Sequence, residues 1–322
     1  MTALTLAEIN RLRATPGATV VLFLTDRCPV GCAHCSVSAT ATSPTIRDWP
    51  LFTEVVRGVC GLTAVQAVAV TGGEPFAARR GLCYAVDELR AAGKAIVVFT
   101  SGYWATGSVP EWTGRVLAST ATVFLSTDSF HARALAARRP LSGAAPELPR
   151  HIRNAAAAIT AAGCHLVVQV LNEPGLAEAV RTHLPDAEVS VVGALATGRG
   201  ADAFAPGPRR PAAQLGRCTL LNSPTIRYDG TVTACCNESV ITGSGPAALR
   251  RRVTRADEVA GALASLRAEP VAAVMARFGP PALPTLAVGS YHSICEACWQ
   301  GHADAAADKR VHAYATVLGG LP

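Results

Sequence analysis

The chain has 322 residues, of which 50% are hydrophobic and 16% are charged. This composition excludes a disordered or coiled-coil chain, and a net charge of +6 is too small to predict nucleic-acid binding. No apolar run approaches the roughly 18 residues that a membrane span needs, and residues 1–17 lack the apolar core of an export signal. We therefore expect a cytoplasmic protein with neither a membrane nor a nucleic acid as its partner.

Strand and helix patterns alternate through the first 200 residues. The apolar, β-branched runs that predict strands are Thr19–Thr25, Ala67–Thr71, Ala95–Thr100, Thr122–Ser126, Leu166–Leu171 and Glu188–Gly193. The segments that predict helices are Leu51–Val59, Gly81–Ala92, Pro110–Ser119, His131–Arg138, Pro149–Ala162 and Leu176–His183. Six such units predict a parallel α/β fold, either a doubly wound sheet or an incomplete (β/α) barrel. In both folds, ligands bind at the carboxyl ends of the strands.

The strand–helix alternation ends near residue 204. The Pro-rich stretch Ala205–Pro211 predicts a boundary between a strand–helix domain, 1–204, and a cysteine-rich domain, 205–322. The basic run Arg250–Arg252 predicts a solvated helix face.

Eleven cysteines without an export signal indicate metal binding rather than a disulfide framework. Cys28, Cys32 and Cys35 directly follow the first predicted strand, with the spacing Cys-x3-Cys-x2-Cys. Three thiolates on one loop can hold a [4Fe–4S] cluster and leave its fourth iron open, whereas zinc would require a fourth protein ligand. His34 lies in the same loop, where we expect its ring to cover the cluster rather than to bind it.

The second predicted strand ends in Thr71-Gly72-Gly73-Glu74-Pro75. Two glycines let a ligand approach the backbone closely, and Glu74 with nearby carbonyls suits a cationic amine. The cysteine triplet followed by this motif resembles the radical S-adenosylmethionine (SAM) superfamily over about the first 200 residues. The resemblance implies a partial (β/α)6 TIM-like barrel with a small cysteine-rich C-terminal extension. It also implies that SAM chelates the open iron and is cleaved to a 5′-deoxyadenosyl radical that abstracts a substrate hydrogen.

The resemblance places SAM contacts at the other strand ends. The residues that it suggests for SAM binding are Gly72, Gly73, Glu74, Ser101, Ser126, Asp128, Asn172 and Arg199. Arg199 resembles the family's basic contact to the SAM carboxylate. Each could instead form a strand-end turn or a helix cap. His131 either faces the cavity or opens the next helix.

A second group of cysteines follows residue 205. Cys218 and Cys235 flank Asp229-Gly230, a hairpin-turn signal, and Cys295-x2-Cys298 adds a pair at chelating spacing. Four thiolates suit a closed [4Fe–4S] cluster or structural zinc. The segment resembles the SPASM and twitch extensions of radical SAM enzymes, and this implies one auxiliary [4Fe–4S] cluster. No cysteine follows Cys298, so a full SPASM domain is not expected.

Cys236 is left over beside Cys235, and three roles stay open for it. It can be a buried apolar side chain, a cluster ligand, or the hydrogen-atom donor found in radical SAM peptide epimerases. The resemblance therefore implies modification of a ribosomally synthesised precursor peptide, preferably L-to-D epimerisation with Cys236 as the donor. Peptide crosslinking or dehydrogenation is the alternative, as is a non-catalytic iron–sulfur or zinc protein. An electron donor such as flavodoxin or ferredoxin is expected. Only about 18 residues precede the first strand, so leader binding, where it is needed, would use the barrel mouth or a separate protein.

Overall fold

The computed structural model describes residues 2–136 and 148–321. Six strand–helix units occupy its first part, preceded by helix α1 (Leu6–Ala14). The strands are β1 (Thr19–Phe23), β2 (Ala67–Thr71), β3 (Ala95–Thr100), β4 (Thr122–Thr127), β5 (His165–Leu171) and β6 (Glu188–Val192). The helices are α2 (Trp49–Cys60), α3 (Arg79–Ala91), α4 (Glu111–Ala118), α5 (Ser129–Ala136), α6 (Arg150–Ala161), α7 (Leu176–His183) and α8 (Gly200–Ala203).

The predicted elements are confirmed with small shifts of their ends. β2 and β3 have the predicted bounds, and the other four strands differ from them by one or two residues. The predicted helix ends likewise shift by at most two residues, except that the predicted end of α5 at Arg138 lies outside the described residues. Gly93 and Gly163 follow α3 and α6 with φ angles of 71° and 77°, a conformation in which glycine ends helices readily.

The six strands lie side by side in chain order and are all parallel. A doubly wound sheet would reverse its strand order at a switch point, and this sheet does not. The partial (β/α)6 barrel is therefore confirmed, as an α/β fold whose central sheet is mostly parallel.

Alternate residues of each strand point to opposite faces of the sheet. The outer face packs against the helices in the main hydrophobic core, with side chains that are at most 1% exposed: Val20, Leu22, Val68, Val70, Ile96, Val98, Val123 and Leu125. On the inner face, Val21, Ala69 and Val97 are register partners and line a central cavity. The small side chains of β2 leave part of this interior open.

Helix α1 packs at the amino end of the barrel. Its Ile9 contacts Val97, Phe124 and Val167 of the inner face in a small core of their own. A capping box at Thr5 and Glu8 starts the helix, because each side chain accepts a hydrogen bond from the other's backbone N–H. The interior is thus closed at the amino ends of the strands by an apolar plug.

The C-terminal part extends the same sheet. Its strands are β7 (Arg210–Pro211), β8 (Thr225–Arg227), β9 (Thr231–Thr233), β10 (Arg250–Arg252) and β11 (Ser290–Tyr291). Its helices are α9 (Glu238–Thr242), α10 (Glu258–Arg267), α11 (Pro270–Arg277), α12 (Pro284–Ala287), α13 (Ile294–Ala307) and α14 (Lys309–Gly319). β8 runs parallel to β1 and forms the predicted hairpin with β9, and the nine-stranded order is β10-β9-β8-β1-β2-β3-β4-β5-β6.

The basic run Arg250–Arg252 was wrongly predicted as a helix face, because it forms the edge strand β10. Arginines at a sheet edge discourage pairing with another chain. The boundary predicted at residue 204 stays a prediction, since both the sheet and the main core continue across it: Leu22, Ile226 and Val232 are fully buried together.

Within the described residues, no single helix is long and apolar enough to cross a membrane. Helices α10 and α11 pass that test of length and composition only as a pair, with a bend of 67° between them.

The shared sheet predicts that the two parts of the chain unfold together. A protease site placed in the exposed segment 205–208 should, after cleavage, leave two fragments that co-elute in gel filtration and melt in one transition. The uncut chain is the control. Separation of the fragments under native conditions would show that the β1–β8 pairing does not hold the parts together.

Candidate active site

A cavity of about 690 Å³ runs through the barrel interior. At the carboxyl ends of the strands it is lined by Cys28, Cys32 and Cys35, and towards the amino ends by Thr19, Ser223 and Cys236. A five-residue strand spans about 16 Å, which sets the separation of the two ends. The first predicted cysteine group and Cys236 therefore border the same cavity.

The Cys28, Cys32 and Cys35 triplet lies on the loop between β1 and α2. Gly31 has a φ of 72° and forms the turn between Cys28 and Cys32. The backbone N–H of Ala39 donates to Cys35 Sγ at 3.3 Å, as amides do to cluster-bound sulfurs. Burial, followed by the nearby charge of Glu74, raises the pKa of Cys28 to about 12. A bound cation would offset that penalty on the thiolate, so this donor set fits a cluster.

The predicted glycines Gly72 and Gly73 pack against the base of the cysteine loop. A Cβ at Gly73 would lie 2.5 Å from the carbonyl oxygen of Arg27, and one at Gly72 would overlap the carbonyl oxygen of Thr25. The N–H of Gly73 donates to Thr25 O at 2.6 Å, and that of Glu74 donates to Arg27 O at 2.9 Å. The glycines therefore allow the loop after β2 to hold the cysteine loop by backbone contacts.

The carboxylate of Glu74 is buried and fully hydrogen-bonded inside the protein. One oxygen accepts from Thr100 Oγ1 at 2.9 Å and from the N–H of Phe76 at 3.2 Å. The other accepts from the N–H and Oγ of Ser101, at 2.9 and 2.6 Å. Burial raises the pKa of Glu74, and these four donors oppose the rise. Glu74 thus joins the loop after β2 to the end of β3. The cationic amine that the sequence predicts at this site would contact backbone carbonyls rather than a free carboxylate.

Arg199 also binds the cysteine loop. Its Nε and Nη2 donate to Cys32 O at 3.0 and 2.8 Å, and Nη2 donates to Ala39 O at 2.8 Å. The neighbouring Gly198 packs so closely that a Cβ would lie 2.6 Å from Cys35 O. Three of the five guanidinium N–H groups are thereby used, and those on Nη1 remain for the predicted carboxylate contact.

Asp128 holds two histidines beside the cysteine loop. Its Oδ1 accepts from the N–H groups of Phe130 and His131 and so caps α5, and its Oδ2 contacts His131 Nδ1 at 2.7 Å and His34 Nε2 at 3.3 Å. Burial alone would raise the pKa of Asp128, but these hydrogen bonds lower it well below its usual range. His131 therefore both opens the helix and faces the cavity. His34 packs against Phe130, with ring centroids 4.7 Å apart and ring planes tilted by 32°.

The other predicted SAM contacts differ in position. Ser101 and Ser126 line the cavity, and the hydroxyl of Ser126 has no hydrogen-bond partner among the described residues. Asn172 is exposed and does not line the cavity, so the structure does not bring it to the site. Gln169, which lies on β5 next to Ser126 in register, does line it. The inward alternation of β5 could have indicated Gln169, because Asn172 lies beyond the end of the strand.

Cys218, Cys235, Cys295 and Cys298 form a second group at the opposite end of the cavity. β8 starts level with β1, and β9 runs back antiparallel, so Cys218 and Cys235 lie near the amino end of the barrel. Burial is the main cause that raises the pKa of each thiol, and the other three thiols raise that of Cys298 further. Asn237 Nδ2 donates to Cys295 Sγ at 3.3 Å. Four buried thiols that oppose one another's ionisation fit a cationic centre.

The spacing of the sulfurs bears on the zinc alternative. Among the described residues, only His34, Asp128 and His131 place three donor atoms within 4.8 Å of one another; no three of the cysteine sulfurs do. Four thiolates on one zinc ion would lie about 3.8 Å apart, from a Zn–S distance of about 2.3 Å in a tetrahedron. Neither cysteine set therefore has three sulfurs at zinc-ligand spacing in this structure.

Cys236 lines the cavity and lies beside the second cysteine group. Its Sγ is 3.9 Å from Leu220 O. Burial raises the pKa of this thiol to about 11, so it keeps its hydrogen at neutral pH. Its position is that of a side chain that can reach a ligand in the cavity.

Two contacts and two cavity-lining residues were not predicted from the sequence. Arg227 on β8 binds Asp26 at the base of the cysteine loop with two hydrogen bonds, of 3.1 and 2.8 Å, and Tyr228 donates to the same carboxylate at 2.7 Å. Arg13 and Glu238 line the cavity near Cys236. Long-range pairing of this kind leaves no local pattern in the sequence.

Two solved structures share this architecture. SuiB of Streptococcus suis, bound to the precursor peptide SuiA, superposes with a TM-score of 0.50 at 12% identity over 79% of this chain and 67% of SuiB. The protein anSMEcpe, with bound AdoMet and the Cp18Cys peptide, superposes with a TM-score of 0.50 at 13% identity over 77% of this chain and 79% of its own. This chain has the fold of the radical SAM enzymes.

The resemblance drawn from the cysteine and glycine motifs is thus confirmed at the level of the radical SAM fold. In sequence, YydG of Bacillus subtilis, whose name assigns it to peptide biosynthesis, is 29% identical over 86 residues. This match spans only 27% of each of the two chains. No protein-family model matches the chain.

The packing at Gly73 predicts how the cysteine loop depends on this position. Gly73→Ala should displace the backbone of Asp26 and Arg27 and cost about four iron atoms per chain after anaerobic reconstitution, because only the first cysteine set is disturbed. Gly114→Ala is the control, since nothing lies within 4 Å of the added Cβ. An unchanged iron content in Gly73→Ala would contradict the packing role.

Proposed function

We propose that this chain is a radical SAM enzyme that modifies a ribosomally synthesised peptide. The observation that supports this most directly is the single cavity, which has the three-cysteine loop at one end and Cys236 beside four further thiols at the other. The peptides in the SuiB and anSMEcpe structures and the assignment of YydG to peptide biosynthesis support a peptide substrate.

In this proposal Cys28, Cys32 and Cys35 hold a [4Fe–4S] cluster, and SAM binds above the barrel interior. When bound, the two together supply an organic radical that removes a hydrogen atom from the substrate. The residues of the chain hold the loop in place through Gly73, Glu74 and Arg199. The apolar walls of the cavity and the α1 plug exclude water from the interior.

The preferred reaction is L-to-D epimerisation, with Cys236 as the hydrogen-atom donor. Once the substrate has lost its Cα hydrogen, the Cys236 thiol gives its own hydrogen to the opposite face of the planar α-carbon radical. The S–H bond breaks, a new C–H bond forms, and the sulfur is left one electron and one proton short. An auxiliary [4Fe–4S] cluster on Cys218, Cys235, Cys295 and Cys298 is the one-electron donor that we propose for its recovery, with the proton from solvent.

Crosslinking or dehydrogenation of the peptide is the alternative, favoured by the same four thiols beside the cavity. The auxiliary cluster would then accept the electron that the substrate loses, and Cys236 would have no chemical role. In either reaction, a flavodoxin or ferredoxin would reduce the first cluster.

An iron count tests both clusters. The reconstituted chain should contain about eight iron atoms, and the triple variant Cys28→Ala, Cys32→Ala, Cys35→Ala about four. Iron and acid-labile sulfide are measured anaerobically, together with zinc. If the triple variant loses all iron and keeps zinc, the second group is a structural zinc site and the auxiliary cluster does not exist.

The role of Cys236 is tested by separating SAM cleavage from product formation. With a pool of synthetic L-peptides in D2O, Cys236→Ser should still cleave SAM, because it leaves the first cysteine loop intact. Deuterium at Cα of D-residues should fall at least about a hundredfold, because serine has no readily transferred hydrogen. Chiral analysis after hydrolysis gives the readout.

Cys83→Ser is the matched control, because Cys83 lies on α3 and does not line the cavity. Equal deuterium incorporation by Cys236→Ser and the wild type would exclude Cys236 as the donor. Crosslinked or dehydrogenated peptide formed by both proteins would support the alternative reaction instead.

A further inference from the structure

Six ionisable side chains other than the cysteines line the cavity, and four of them are hydrogen-bonded or ion-paired within the protein, although Nδ1 of His34 has no partner among the described residues. The six are Arg13, His34, Glu74, Asp128, His131 and Glu238. Glu74 accepts four hydrogen bonds, and Asp128 binds both histidines. Arg13 and Glu238 are the two that have no hydrogen bond or ion pair with any described residue.

Glu238 is an unpaired carboxylate at the Cys236 end of the cavity. It follows Asn237, which caps helix α9 with its side chain and thereby fixes the start of that helix. Burial raises the pKa of Glu238. A carboxylate that is partly buried and has no hydrogen-bond donor from another residue destabilises the folded chain unless a ligand supplies the missing donor.

Arg13 comes from a different part of the chain, the last turn of the helix α1 that plugs the barrel. Its side chain is exposed and borders the same cavity. The charges of Arg13 and Glu238 are the two that act most strongly on the pKa of the Cys236 thiol. The positive charge of Arg13 lowers that pKa, and the negative charge of Glu238 raises it. The two side chains nevertheless lie more than 4.0 Å apart, since they form no ion pair. An acceptor and a donor are therefore both held near the thiol, each without a partner.

We propose that Glu238 and Arg13 bind the backbone of the peptide residue that is modified, with Glu238 accepting its amide N–H and Arg13 donating to its carbonyl oxygen. A residue within a peptide has one hydrogen-bond donor, its N–H, on one side of Cα and one acceptor, its C=O, on the other side. Its backbone carries no net charge. A single carboxylate and a single guanidinium match that pattern. This places Cα next to Cys236. The proposal rests on the proposed function and adds two positioning residues to it.

The test uses reconstituted full-length protein immobilised anaerobically and a pool of blocked synthetic peptides with neutral side chains. Retained peptides are quantified by mass spectrometry. Glu238→Leu and Arg13→Leu should each retain at least about tenfold less peptide than the wild type, because a charge-assisted hydrogen bond is lost. Glu238→Gln should bind at an intermediate level, because its carboxamide oxygen still accepts an N–H.

Two control variants match these changes. Arg11→Leu lies on the same helix as Arg13, and Glu178→Gln removes an exposed carboxylate; neither side chain lines the cavity. Both should retain peptide as the wild type does. The melting temperature of Glu238→Gln should not fall, because the variant removes an unpaired buried charge and breaks no contact.

A retained peptide is then resynthesised with an ester in place of the amide N–H at the modified residue. The ester should weaken binding to the wild type by about tenfold and leave binding to Glu238→Leu unchanged, since the partner of that N–H is already gone. Equal losses in the two proteins, or equal retention by the wild type and the leucine variants, would overturn the backbone contacts and leave a peptide-modifying function intact. If the wild type retains no peptide, the proposed peptide substrate is wrong and the contacts fall with it.

Discussion

The site depends on close backbone packing around one loop. The cysteine loop has little regular structure of its own, and its base is held by carbonyl and amide contacts from the loops after β2 and β6. Gly73 and Gly198 permit this approach, because any side chain there would overlap the carbonyls of Arg27 and Cys35. Cys28, Cys32 and Cys35 are thus positioned by the loops after a strand next to β1 and after a strand at the far end of the barrel, so both ends of the barrel hold the cysteine loop.

The C-terminal part is joined to the same structure by hydrogen bonds rather than by a linker alone. β8 pairs with β1 directly below the cysteine loop, and Arg227 continues from that strand to the carboxylate of Asp26. The hairpin that carries Cys235 and Cys236 therefore keeps a fixed register to the loop that carries Cys28. The first cysteine group and Cys236, which line a cavity of about 690 Å³, are held at a constant separation by a single sheet.

The six strand–helix units could be predicted from the sequence because the strands are short apolar runs with glycines at the helix ends, a local pattern. The cysteine spacing and the Gly72-Gly73-Glu74 motif located one end of the site for the same reason. The strand–helix pattern left a doubly wound sheet open, and the choice of a partial barrel came from the resemblance. Arg250–Arg252 was misjudged, since an edge strand of three residues has no distinguishing period, and its pairing with β9 is decided by the hairpin. Asn172 was chosen by its place after a strand, whereas β5 faces the interior with Gln169.

Most of the polar side chains that the sequence motifs select are not the ones that remain free to bind a ligand. Glu74 and Asp128 use all of their acceptor positions within the protein, and Arg199 uses three of its five donors on the cysteine loop. Their role in this structure is to build the loop. Unsatisfied polar groups mark the positions where a ligand would replace water, because leaving them unpaired costs free energy in every folded molecule. In this cavity Ser126, Glu238 and Nδ1 of His34 are of that kind. Ser126 was predicted from its place at the end of a strand, whereas Glu238 belongs to no motif that the sequence alone would select.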